Sequence, residues 1–248
     1  KAADRRRSLI SAGSLQLIVD WFIREWEAIK GVMVDELDPI DSVRAVTEAV
    51  DFRSYGWWTL LERIYLAVSA ISGRRVLQGL DVRPPSSPFI TDPWLTETMA
   101  YLQQFGGDRI VDITTATQDL IRGALEEGVL QGESIYHLRQ RIDALYLDSI
   151  IPYRSEVIAR TETATAAGFG GQAAVRAMEI PVMKSWLARL DGRERDTHRA
   201  AHNRYRADPI DLDRPYEVGD AKLMFPADPS LGAPPEEIMA FLKGQLSG

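Results

Sequence analysis

Apolar residues along the first eighty positions recur at helical steps. In SLISAGSLQLIVDWFIREWEAIKG, residues 8–31, Leu15, Ile18, Phe22, Trp26 and Ile29 fall three and four apart, which predicts a helix with one apolar stripe, stopped at Gly31. A second helix is predicted over 41–50, with Asp41 or Ser42 as its N-cap. A third covers 56–79, where Trp57, Trp58, Leu61, Ile64, Tyr65 and Val68 line one face and Gly79 marks the end. Aromatic stripes of this kind are most simply core or a helix–helix seam. Residues 81–93, DVRPPSSPFITDP, hold four prolines and little periodicity, which predicts a linker or an extended arm. Pro-rich extended segments also serve as docking strands between subunits.

Beyond the arm the pattern predicts a short helix over 94–105 and a strand or short extended piece at DRIVDI, 108–113. Thr114 or Thr115 then caps a helix that Gly132 closes, Ser134 caps another, and Pro152 opens a long one running to about Met178. Gly168, Gly170 and Gly171 either interrupt that long helix or mark close packing against a neighbour. After Pro181 the texture changes. Val182, Lys184, Trp186, Ala188 and Leu190 alternate loosely as in a strand, Asp191-Gly192 is a turn, and RERDTHRAAHNRYR looks helical. Residues 207–220 read as loop, KLMFP at 222–226 as a short return strand, and the tail as a short helix. The expected class is therefore α+β, predominantly α-helical. A helical N-terminal region, 1–93, ends in the Pro-rich arm and is followed by a domain over 94–248, whose small mixed α+β segment starts near 182.

Composition narrows the chemistry. A chain of 248 residues, 45% hydrophobic, can bury a core without staples, and with no cysteine it has no disulfide, thiolate metal site or cysteine nucleophile. The net charge of −7 argues against a free-standing nucleic-acid binder, although Arg193, Arg195, Arg199, Arg204 and Arg206 offer a local basic patch. No run of 18 apolar residues reads as a membrane span, and the opening KAADRRRS is not followed by the apolar run and cleavage site of a secretory signal.

The candidate chemistry gathers in LDGRERDTHRAAHNRYR, 190–206, which holds two of the three histidines, His198 and His202, four residues apart. On a helix they share a face, the geometry of two metal ligands, and Asp191, Asp196 or Asp228 would have to complete the set. The zinc-protease pattern needs Glu after the first His, where Arg199 stands. A histidine beside an aspartate also suits acid–base work, but no nucleophile elbow, carboxylate pair or phosphate loop accompanies it. The third reading is a polar clasp. In it Asp191 caps the following helix, Arg193 and Arg195 fork onto carboxylates such as Glu162, and His198 bonds to backbone. A second cluster, Arg160-Thr161-Glu162-Thr163, sets charges among small apolar residues and calls for pairing. The third stretch, Phe225-Pro226-Ala227-Asp228-Pro229, reads as a locked loop.

In this order the three pieces resemble the phage head morphogenesis family, typified by the minor head proteins of phages Mu (protein F) and SPP1. That family's pattern is an ARTE helix, a Trp, D-x-R-x-R-x-x-H, then a P-x-D-P loop. The matching positions are Ala159-Arg160-Thr161-Glu162, Trp186, then Asp191, Arg193, Arg195 and His198, then Pro226, Asp228 and Pro229, within about residues 110–238. Two features depart from it: the usual Asn-Cys-Arg-Cys segment is absent, and His202-Asn203 stands where a small Asp-Gly turn is common. The resemblance implies a structural cluster of Arg160, Glu162, Trp186, Asp191, Arg193, Arg195, His198 and Asp228, without cofactor. It implies a low-copy virion protein inside the capsid at the portal vertex, present in host cytoplasm during assembly, with the portal, other head proteins and packaged DNA as contacts. Residues 1–80 and the arm lie outside the shared pattern and are the candidate portal or capsid contacts. The alternative is a virion-carried hydrolase or ADP-ribosyltransferase-like enzyme using Asp191, Arg193 and His198.

Overall fold

The apolar stripes fold as the helices that their spacing predicts. A computed structural model describes residues 2–33, 38–53, 55–83, 92–188, 190, 192 and 194–225, with backbone only at 2–11, 39, 40 and 52. The N-terminal helices are α1 (Ala2–Val32), α2 (Pro39–Arg53) and α3 (Tyr55–Gly79). Next come α4 (Trp94–Leu130), α5 (Ile135–Leu145), a π-helix (Tyr146–Arg154) and α6 (Ser155–Ala177). Four short strands and one helix follow: β1 (Met183–Lys184), α7 (Asp196–Ala207), β2 (Ile210–Asp211), β3 (Tyr216–Val218) and β4 (Ala221–Leu223). The protein is thus predominantly α-helical with a small mixed C-terminal segment. No described helix is long and apolar enough to cross a membrane.

Two units emerge from the packing, one built from residues 1–64 and 102–163, the other from 65–101 and 164–248. Each therefore draws on segments from both sides of the Pro-rich arm. In the first, Ile18, Phe22, Glu25 and Ile29 form the buried stripe of α1. Trp57 of α3 is buried against it, 5.4 Å from Trp21 and 5.6 Å from Phe22 between ring centroids. The Trp57 stripe is core, as the simplest reading of its spacing has it.

In the second unit Leu77, Trp94, Ala173 and Ala174 form a buried cluster. Trp94 donates its indole N–H to the Ser69 carbonyl at 3.1 Å, and Ser69 Oγ donates to the Ala166 carbonyl at 3.1 Å. Gly170 explains why α3 and α6 come this close: a Cβ there would lie 2.4 Å from Ser69 Cα. The GFGG stretch marks close packing and does not interrupt the helix. Asp92, at the end of the arm, is buried and accepts both Arg74 nitrogens at 2.8 Å. Arm residues 84–91 lie outside the described residues, as does the tail beyond Phe225.

Several local expectations are corrected. The short helix at 94–105, the extended piece at 108–113 and the helix after Thr114 are one continuous α4 of 37 residues. Ile113 and Thr117 point inward along it, so the β-branched run follows the helical period rather than a strand's. Thr114 and Thr115 are interior and cap nothing, whereas Gly132, at φ +73°, does close the turn after α4. Ser134 occupies the N-cap position of α5, but its hydroxyl pairs with His137 Nδ1 at 3.1 Å rather than with a backbone amide. Pro152 lies inside the π-helix and opens no helix. The strand expected over 182–190 shrinks to β1, which pairs antiparallel with β2, Met183 opposite Asp211. The stretch 207–220 contains β2 and β3, and β3 pairs antiparallel with β4, the expected return strand.

Candidate functional site

Around α7 the C-terminal segment builds its own small core from Trp186, Ala201, Tyr205, Ile210, Tyr216 and Val218. A buried tryptophan needs partners for its faces and edges, and two rings supply them. His198 and Tyr216 pack edge-on to Trp186 at 5.6 and 5.2 Å, and Tyr205 packs edge-on to Tyr216 at 4.9 Å. Lys184 sets its ammonium 4.7 Å over the Tyr216 ring and donates to the Met224 carbonyl at 2.8 Å. Tyr205 Oη accepts the Glu217 backbone N–H at 2.7 Å, which ties α7 to β3.

The backbone bond expected of His198 is made by its neighbour one turn on. His202, not His198, makes the backbone bond: its Nδ1 accepts the Ala188 N–H at 3.1 Å, and its side chain is buried. This requires an unprotonated Nδ1, so the ring proton sits on Nε2. His198 is half-buried on Trp186. Desolvation pulls its imidazole below the ordinary histidine range, and the charge of Arg195 adds to the effect. Among the described residues no group of three or more potential metal ligands gathers.

The remaining candidates separate. Glu162 is buried, and its ion pair is with Arg109 of α4, 53 residues away in sequence. Arg160 is exposed and reaches Glu156 one turn earlier at 3.5 Å. Asp191, Arg193, Pro226, Asp228 and Pro229 lie outside the described residues. Within the basic patch, Arg199 pairs with Glu194 at 2.5 Å and Arg204 with Glu217 at 2.8 Å, so these cations carry a local counter-charge. Sequence reasoning missed Arg109 and Tyr205. Arg109 sits in a stretch that reads as extended, and Tyr205 occupies what reads as an ordinary apolar helix position.

The arrangement makes a stability prediction that separates the two histidines. His202→Ala leaves the Ala188 N–H without its acceptor and is expected to cost about 1–2 kcal/mol. His198→Ala loses one edge-on aromatic contact, about 1 kcal/mol. Urea unfolding followed by circular dichroism gives both values, and a larger loss for His198→Ala contradicts the assignment.

No protein-family model matches the chain, and neither a curated protein nor a solved structure matches it.

Proposed function

We propose that this chain is a bacteriophage minor head protein, acting in head assembly from inside the capsid at the portal vertex. The observation that carries the reading is the ordered set Ala159-Arg160-Thr161-Glu162, Trp186, Asp191, Arg193, Arg195, His198, then Pro226, Asp228 and Pro229. The burial of Trp186 and its packing on His198 support a structural part for these two members of that set. In this reading the small core around Trp186 holds the C-terminal α+β segment together, and residues 1–93 contact the portal or capsid.

Two measurements test it. Mass spectrometry of purified phage heads is expected to find the chain at low copy. The full chain, co-expressed with the portal protein of the same phage, is expected to co-purify with it. Heads without the chain, together with no association with the portal, overturn the proposal. A hydrolase or ADP-ribosyl-transfer activity that His198→Ala abolishes without loss of folding would instead establish the enzymatic alternative.

A further inference from the structure

Between α5 and α6 nine residues, Tyr146–Arg154, wind as a π-helix. Such turns hold more residues than an α-helical turn and often mark functional or hinge positions. Pro152 inside the segment has no backbone N–H to give, so the segment is short of one ladder bond.

Polar side chains tie down both ends. Tyr146, the first residue, donates its hydroxyl to Glu25 Oε1 of α1 at 2.9 Å, and both side chains are buried. Trp26, next along α1, stacks on Tyr146 at 6.3 Å and donates its indole N–H to Asp143 of α5 at 2.8 Å. Arg154, the last residue, donates to Thr117 Oγ1 at 3.0 Å and to the Ile113 carbonyl at 2.6 Å, both on α4. Arg154 therefore spends its hydrogen bonds on α4, while its charge acts on Glu25 through space.

Glu25 is an unusual group to bury. Desolvation raises its carboxyl to about 7, against the Tyr146 hydrogen bond and the charges of Arg53 and Arg154. Burial also lowers Arg154 to about 10 and raises the Tyr146 hydroxyl, which stays protonated. The titratable groups facing Glu25 among the described residues are Arg53 from α2 and Tyr146 and Arg154 from the π-helix. Asp143 of α5 faces its neighbour Trp26.

We propose that Glu25 is a proton-operated latch on the π-helix. With its proton on, Glu25 accepts from Tyr146 as a neutral acid and leaves Arg154 bound to α4. When the proton leaves to solvent, the carboxylate is stable only where water and Arg154 can reach it, so Arg154 leaves Thr117 and the Ile113 carbonyl and the π-helix opens around a solvated Glu25. The sign follows from linkage. The closed form binds the proton up to about pH 7, whereas a solvated glutamate releases it near 4.5. Opening therefore becomes easier as pH rises through that window and levels off above it, by about tenfold per pH unit for one proton. This latch does not depend on the head-protein reading.

Hydrogen exchange of the full chain between about pH 5 and 8, corrected for intrinsic exchange, tests it. Protection over 146–155 is expected to fall about tenfold per unit up to neutrality and then flatten, while α7 does not follow. Glu25→Gln is expected to abolish the pH dependence. Tyr146→Phe removes a donor to the ionised form and is expected to move the plateau to higher pH. The infrared band of a protonated carboxylic acid, titrated in the unaltered protein, gives the midpoint should the Gln variant fail to fold. A flat wild-type profile, a parallel fall in α7, a Gln variant with unchanged pH dependence, or a carboxyl titrating near 4.5 overturns the latch.

Discussion

Replacing Arg109 by alanine is expected to cost about 3–5 kcal/mol, the usual penalty for removing one partner of a buried ion pair. The Glu162 side chain is only 1% exposed and that of Arg109 12%, so little water is at hand to solvate the carboxylate left behind. Burial already raises the nearby Asp112 carboxyl, Arg109 lowers it, and Asp108 and Glu162 raise it. Removing the guanidinium sets these carboxylates against one another. A double variant, Arg109→Met with Glu162→Leu, is expected to recover most of the loss, because an apolar pair of similar volume often replaces a buried ion pair without cost. Chemical denaturation measures all three. A loss in the single variant below about 1 kcal/mol, the range of exposed pairs, would show that the pair is solvated.

Gly170→Val is expected to cost about 3 kcal/mol, the upper end for an overpacked site. The added Cβ meets Ser69 at 2.4 Å from its Cα, 2.6 Å from its Cβ and 2.8 Å from its Oγ. Backbone cannot rotate aside as a side-chain tip can, so α3 and α6 must separate. Separation also strains the Ser69 hydroxyl's bond to the Ala166 carbonyl and the Trp94 bond to the Ser69 carbonyl. Gly123→Ala in α4 is the control. Gly123 is exposed, and nothing lies within 4 Å of its added Cβ. There alanine is expected to add about 0.5–1 kcal/mol through helix propensity alone. Thermal melting of the two variants should move in opposite directions, and a shared direction contradicts the close contact.

What the sequence makes legible is whatever its local period encodes. The steps of Ile18, Phe22 and Ile29 locate α1 and its buried face, and Gly132 locates the end of α4. Local period fails where a segment's partner is distant. DRIVDI resembles a strand on its own, yet Gly106-Gly107 before it does not break α4, because Gly106 packs against Leu102 and Trp58. Arg109, inside that stretch, finds Glu162 only through the folded chain. Pro152 usually opens a helix, and nothing nearby announces that the preceding turn has widened to a π-register around it. At the candidate site, four-residue spacing puts His198 and His202 on one face. It does not say which of them meets the Ala188 N–H and which lies on Trp186, because position along the face decides that.

The division into two packing units has a consequence for synthesis. The boundaries at 64/65, 101/102 and 163/164 fall inside α3, α4 and α6, and not in linkers. A chain leaving the ribosome has residues 65–101 in hand long before their partners at 164–248 exist. The first unit becomes complete only once Thr163 has emerged, and the second needs the residues that follow. Residues 65–101 therefore wait with the apolar face around Trp94 uncovered until Ala173 and Ala174 emerge. No single cut in the chain yields either unit alone.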